Sequence, residues 1–393
     1  MPEALVYDAI RTPRGRVRRT GGTLAEVPSY ELFAGLLREF VRRGLQPGEV
    51  DDVLAGVSTV YGEQAGDLPR LAVMCAGWPD SVPGGTVSRM CTSGLDAIAT
   101  GAAHIRAGMT QLVVAGGAES MSRVPMFADR PAFAIEDDLG ERSGFVTIGV
   151  SADLTAARYG LTRDELDQWA LRSHQRSAAS PVWESVIPVT VDADVVLAAD
   201  EGARADTTLE SLAALAPLFT DDPLWDRVER RFPGFTRPAV GLHTVATAPQ
   251  LCDGASAALI GGESAEAAVG HAPIGRIAGW ARSAVRSPGL DGTVEAARRA
   301  LAVAGIALEQ VDVAEFNESF CVTPLVLIRE LGIDSEKVNI RGGAVALGHP
   351  LGASGGIILA NALELLGRTG GRYALLVIPA ALGVSMAMVV ERL

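Results

Sequence analysis

Short, continuously apolar runs alternate along the chain with longer stretches of helical periodicity. LVVAG (112–116) and YALLVI (373–378) are short and carry no polar alternation. They predict buried strands flanked by helices. LTRDELDQWALRSHQRSAAS (161–180) has the spacing of an amphipathic helix. Thr162 is its N-cap and Glu165, three residues on, the partner in a capping box. The pattern also repeats. GLQPGEVDDVLAGVSTV (44–60) and GIALEQVDVAEFNESF (305–320) each read as a turn, an acidic residue before valine, a strand and a polar turn. The segment from Cys91 through GAAHIRAGMTQLVVAGGAESMS parallels LGASGGIILANALELLGRTGGRYALLVIPAALGVS: a Gly/Ser turn, a long apolar helix, a Gly break, a buried strand and a second Gly turn. Asp52 lies 39 residues before Cys91, and Asp312 lies 37 before His349. The expected architecture is an α/β duplication: an N-terminal half over 1–268, a C-terminal half over 270–393, and an inserted loop domain at about 120–247. Cys91 and His349 then fall at equivalent places in the two copies.

Composition narrows the chemistry. Of 393 residues, 48% are hydrophobic but only 5% aromatic, so the core is built mostly from Ala, Val, Leu and Ile. A net charge of -13 argues against a nucleic-acid partner, though an Arg cluster or a helix N-terminus could still hold an anionic ligand. Cys75, Cys91, Cys252 and Cys321 are too scattered for a disulfide framework or a zinc site. Cys75, in LAVMCAGW, reads as a core residue, and Cys252 sits at an apolar-to-turn transition. The AGGAES turn lacks the G-x-G-x-x-G spacing of a dinucleotide site. MPEALVYDAIRTPRGR begins as a strand with no apolar signal core, and no run of ~18 apolar residues could span a bilayer. The expectation is a cytoplasmic protein with no membrane segment, no metal and no permanently bound cofactor.

VSRMCTSGLDAI (87–98) raises the chemical question. Cys91 precedes Thr92-Ser93-Gly94, which opens an Ala/Gly-rich helix. A thiol at a helix N-terminus or beside a histidine has its pKa lowered from ~8.5. Thiolate is both a good nucleophile and a good leaving group, as thioester exchange requires. His349, in ALGHPLGASGG, lies in a Gly-rich turn that opens the second copy's helix. Asn317 and Glu318 follow a strand, where they could equally form an Asx-turn or a helix cap.

RTPRGR, CTSGLDAI, GGAESMS (116–122), SADLTAARYGLTRDELD (151–167), DGASAALI (253–260), FNESF (316–320) and GGAVALGHPLGASGG (342–356), in this order, resemble the thiolases, which make or cleave 3-ketoacyl-CoA. The resemblance implies a five-layered α-β-α-β-α fold assembled as a homodimer or homotetramer. It implies a coenzyme A thioester as substrate, Cys91 as the acyl-carrying nucleophile, His349 as its activator and Asn317 as the holder of an oxyanion-site water. The insertion would supply most pantetheine and nucleotide contacts, with Ala248, Pro249, Phe320 and Gly348 as further substrate-binding positions.

The chain departs from the family at its C-terminal loop. Thiolases carry there a second cysteine, in Cys-x-Gly-Gly-Gly-x-Gly, as the α-carbon base. The aligned stretch here is VIPAALG (377–383), so Val377 replaces the base and Pro379 replaces a glycine whose N–H joins an oxyanion hole. Thr247 and Pro249 replace an Asn and a CoA-contacting Ser, and Ser88 replaces another Asn. Three readings follow. Acyl transfer through Cys91 could continue with a substitute base, Cys321 or Ser319; if the segment from Ser319 is helical, only one of the two faces the site. Condensation could be decarboxylative, as in ketoacyl synthases, and need no such base. Or the chain could be a catalytically reduced homologue that binds acyl-CoA or a partner subunit.

Overall fold

The computed structural model describes residues 2–19, 21–192 and 194–393. The first half contains β1 (Leu5–Arg11), β2 (Gly15–Arg16), α1 (Ser29–Arg42), β3 (Asp52–Gly56), α2 (Leu68–Cys75), β4 (Gly85–Val87), α3 (Ser93–Arg106) and β5 (Leu112–Ser120). A long excursion follows: α4 (Ala132–Ile135), α5 (Asp137–Ser143), α6 (Ile148–Arg158), α7 (Arg163–Ala179), β6 (Val189–Thr190), β7 (Val196–Leu197), α8 (Leu209–Ala213) and α9 (Trp225–Arg231). The chain then returns through β8 (Cys252–Gly261) and α10 (Glu266–Val269). The second half has β9 (Gly275–Ala284), α11 (Gly292–Ala304), β10 (Val311–Phe316), α12 (Val322–Leu331), α13 (Ala344–Leu347), α14 (Ser354–Thr369), β11 (Tyr373–Pro379) and β12 (Val384–Arg392).

The strand order is β10-β11-β12-β9-β1-β8-β5-β3-β4, which reads as one four-strand pattern and its mirror image about the β9/β1 seam, with β4 added at one edge. Each half has a parallel pair, β3/β5 or β10/β11, followed by antiparallel neighbours, and the first half adds a second parallel pair, β3/β4, at its edge. The seam itself is only two residue pairs, Leu5↔Arg276 and Val6↔Gly275.

Strand periodicity then builds the layers, because alternate side chains leave opposite faces of a sheet. In β5, Leu112 and Val114 pack outward on α1, whereas Val113 and Ala115 pack inward on α3 and α14. In β11, Leu375 and Val377 pack outward with α11 and α12, whereas Leu376 and Ile378 pack inward on the same two central helices. Five layers result, α-β-α-β-α, and both faces of both sheets are covered. That is why these strands read as unbroken apolar runs.

The central helices α3 and α14 approach closely at their N-termini. A Cβ on Gly94 would lie 2.3 Å from the Gly352 carbonyl oxygen, and one on Gly355 would lie 2.1 Å from the Leu95 nitrogen. This contact brings the turn that holds Cys91 and the turn that holds His349 together.

The excursion carries its own apolar cluster (Val146, Val150, Leu154, Trp225, Val228) and leans on the second half through α7. The capping box at α7 forms: Thr162 Oγ1 accepts from the Glu165 N–H, and the Glu165 carboxylate accepts from the Thr162 N–H at 2.8 Å. Asp200 anchors the excursion to the RTPRGR segment. It takes a bidentate pair from Arg11 (2.7 and 2.8 Å) and a backbone N–H from Arg14 (2.9 Å). Burial pushes the Asp200 carboxyl up, but the two guanidiniums outweigh it and hold it well below the usual carboxylate range.

One expectation is corrected here, and one open condition is decided. Cys75 is exposed, because it ends α2 off the face that buries Leu68, Ala72 and Val73. The segment from Ser319 is not helical: α12 begins at Val322, after a turn at 319–321. Among the described residues, no helix is long and apolar enough to cross a membrane.

Candidate active site

The Cys91 turn is held open by strain and cross-bracing. Met90 adopts φ +51°, a left-handed conformation that is unfavourable for a side chain of its size and typical of functional turns. Thr92 Oγ1 donates to the Arg89 carbonyl (2.8 Å), and the Arg89 N–H donates to Ser93 Oγ (2.8 Å). These bonds close the turn two residues before α3 and leave the thiol pointing into a cavity of about 280 Å³.

The expected lowering of the Cys91 pKa does not occur. Burial pushes the thiol up to about 12, and the nearby Glu119 adds to this; the residue's own backbone N–H is the only opposing contribution. Desolvation of the thiolate outweighs the helix terminus.

His349 lies on the same cavity wall, carried by the other half of the chain. It sits five residues before α14, separated from it by a 3-10 turn at Leu351–Ala353, so its place is similar to that of Cys91 but not identical. Its backbone N–H donates to the Gln250 carbonyl (2.9 Å); in the ring, Nδ1 is 2.6 Å from Ser354 Oγ and Nε2 is 3.5 Å from Asn317 Nδ2. An amide nitrogen can only donate, so these partners assign the acceptor role to Nε2 and the proton to Nδ1. Burial, reinforced by Arg14, lowers the imidazole pKa to about 3. At neutral pH the pair is therefore a neutral thiol and a neutral imidazole.

Asn317 follows β10, with its N–H on the Val377 carbonyl (2.8 Å) and its Nδ2 on Ser319 Oγ (2.8 Å). Ser319 lines the cavity, as do Ala248, Pro249 and Phe320. Gly348 is not on the cavity wall. At φ +103° it makes a turn that a side chain would strain, a Cβ there would meet Cys252 Sγ at 2.6 Å, and its carbonyl accepts from Arg14 (3.1 Å).

Cys321 is fully buried among the outer apolar side chains and lies off the cavity wall. Burial, with Glu318 beside it, pushes its thiol up. Val377 is also fully buried and off the wall. Pro379 ends β11 with no N–H to give, and the next amide, that of Ala380, is spent on the Val384 carbonyl (2.7 Å).

Two buried carboxylates, Glu119 and Glu318, brace the site, and neither role was foreseeable from its position in the sequence alone. The buried Glu119 accepts from the N–H groups of Ser58 (2.8 Å), Thr59 (3.1 Å) and Gly352 (3.0 Å) and from Gln64 Nε2 (2.8 Å). It thereby ties the end of β5 to both neighbouring loops. Glu318 accepts from Trp169 Nε1, Ser173 Oγ and the Val345 N–H, at 2.8, 2.8 and 2.9 Å, and clasps the insertion to the second half. Both lay inside the quoted motifs GGAESMS and FNESF, which was the available signal.

A mirror-paired five-layer α/β fold with a cysteine and a histidine contributed by opposite copies defines a class of acyl-transfer proteins, and comparison with known proteins places the chain within it. Residues 4–223 match the family model described as "Thiolase, N-terminal domain", and residues 271–392 match "Thiolase, C-terminal domain". The chain belongs to the thiolase family. A beta-ketoadipyl-CoA thiolase of Pseudomonas aeruginosa is 36% identical, over 99% of each chain. A 3-ketoacyl-CoA thiolase of Bacillus subtilis is 36% identical over 90% of each. The crystal structure of the Bacillus anthracis acetyl-CoA acetyltransferase superposes with a TM-score of 0.87, at 31% identity, covering 100% of this chain and 99% of that one.

Proposed function

We propose that this acyltransferase works through an acyl-Cys91 intermediate on CoA thioesters, with His349 as its proton-transfer group and Asn317 beside it as the holder of an oxyanion-site water. The observation that carries this reading is the shared cavity. It places a thiol from one half and an acceptor-oriented imidazole from the other on one wall, with Asn317 against the imidazole.

Because both groups are neutral, the proton moves as the bond forms. Cys91 Sγ attacks the thioester carbonyl carbon while its proton passes to His349 Nε2. The tetrahedral intermediate then collapses, the bond from carbon to CoA sulfur breaks, and the departing sulfur takes the proton back from Nε2. The products are acyl-Cys91 and free CoA. Ser354 keeps the Nδ1 proton in place throughout. Ala248, Pro249 and Phe320, on the cavity wall, serve the pantetheine arm. Assembly as a homodimer or homotetramer belongs to the same reading, and the short edge strand β4 leaves one end of the sheet available to a second copy.

The carbon–carbon step is less well equipped. Ser319 faces the cavity but a serine hydroxyl is no base at neutral pH, and Cys321 lies in the core. This favours decarboxylative condensation as the second reading, because loss of CO₂ from a malonyl-type thioester generates the carbanion without α-proton abstraction.

The test is intact-protein mass spectrometry after mixing with acyl-CoAs, with Cys91→Ala as control. The expected result is a mass increase equal to the acyl group, absent from the variant. Malonyl-CoA added to the acylated protein should then release a 3-ketoacyl-CoA if the second reading holds. CoA binding without any adduct would overturn the acyl-enzyme reading and leave a binding or partner-subunit role.

A further inference from the structure

The geometry points to an uncharged, apolar acyl group as the cargo of Cys91 and to exclusion of acyl chains that end in a carboxylate. This deepens the acyl-Cys91 reading and rests on it for the identity of the site.

The cavity that holds Cys91 and His349 is walled largely by apolar side chains. Phe127, Phe133 and Phe145 form one aromatic surface, with ring centroids 4.9, 5.8 and 6.4 Å apart in tilted and edge-to-face contacts. Ile148 and Leu351 extend it. Phe127 is held at φ +66°, a conformation costly for an aromatic residue that persists where the surroundings impose it. The loop thus keeps a strained backbone while its ring stays on the wall.

Charge decides the rest. Among the described residues on this wall there is no lysine or arginine, and the one carboxylate, Asp129, is exposed. The two catalytic groups are neutral at pH 7. A terminal carboxylate drawn into this space meets no cation and one like charge, and a buried charge without a partner costs far more than a methyl group in the same place. The conclusion does not depend on which end of the cavity the acyl chain occupies, because no part of the wall offers a positive partner. The adipyl group in several relatives' names ends in such a carboxylate, so 36% identity does not carry that acyl group over to this cavity.

Octanoyl-CoA and adipyl-CoA make a matched pair: each has seven non-hydrogen atoms beyond the thioester carbonyl, and they differ in the charged end. Binding to the full-length Cys91→Ala protein, which cannot be acylated, is measured by calorimetry with free CoA as reference. The expected result is octanoyl-CoA bound at least about 30-fold more tightly than adipyl-CoA, the size of one unpaired buried charged group. Equal affinities, tighter adipyl-CoA, or no gain of octanoyl-CoA over free CoA would each overturn the inference. Adduct mass on the unmodified protein is scored separately. Octanoyl preference without any adduct sinks the acyl-enzyme step alone, and adduct formation without preference sinks the apolar-cargo inference alone.

Discussion

The ends of β5 and β11 occupy mirror positions in the two halves, and they have been put to opposite uses. At the end of β5, Glu119 is a buried acid with four hydrogen-bond donors, and it ties the loop after β3 to the turn before α14. At the end of β11, Val377 is apolar, Pro379 has no N–H and the Ala380 amide is already bonded. One strand end organises the site through an acidic side chain, and the other reaches it only through a backbone carbonyl, that of Val377, which holds the Asn317 N–H. The duplication therefore specifies where groups can stand, while a handful of local substitutions decides which of those places does chemistry.

The largest expected effect comes from removing that asymmetry. Pro379→Gly puts back an N–H at that strand end, and one oxyanion donor alone is worth ~10²–10³ in rate; Val377 is left in place because its side chain packs outward, off the cavity wall. CoA-dependent cleavage of 3-ketooctanoyl-CoA, followed by absorbance, should rise by at least about 10². No gain would mean that the backbone course of the β11 loop, rather than its residues, separates the two ends.

Next in size is the anchor between insertion and first half. Asp200→Ala leaves Arg11 and Arg14 buried without a counter-charge and should cost about 3–5 kcal/mol in chemical denaturation. The pH dependence has a definite sign. The folded pKa of Asp200 is depressed, so its contribution is present above the unfolded value of ~3.9 and is lost as pH falls through the folded value. The wild type should therefore lose its advantage over Asp200→Ala only on acidification. An advantage that stayed constant down to pH 2 would show that the pair is not what stabilises this junction.

The smallest effect concerns the His349 turn. Ser354→Ala removes the partner of Nδ1 and frees the ring to rotate. Acyl-adduct formation should slow about tenfold, equivalent to one hydrogen bond, with thermal unfolding little changed. An unchanged rate would mean that the Asn317 contact alone suffices to orient the imidazole.

Much of the fold was legible because it is written locally. The two apolar runs, the repeated turn–helix–strand pattern and the capping box at Thr162 are short-range signals, and the mirrored sheet follows from them. The nearness of Cys91 and His349 was legible through the repeat. Their protonation states were not, because desolvation is a tertiary property, and it reverses the lowering that a helix terminus implies for Cys91. The braces were hidden for the same reason. Arg11 finds Asp200 189 positions away, and Glu119 finds Gly352 233 positions away. The choice between Ser319 and Cys321 also had to wait, since it turned on a helix that starts only at Val322.

The close contact between α3 and α14 bears on how this protein can change over generations. At Gly94 and Gly355 the neighbouring backbone occupies the volume of a single methyl group. Alanine, the mildest replacement at most positions of a helix, must there force two layers apart and displace the thiol and the imidazole together. A survey of every single substitution, scored by survival of the fold, should find some of its least forgiving positions at residues that have no side chain to contribute.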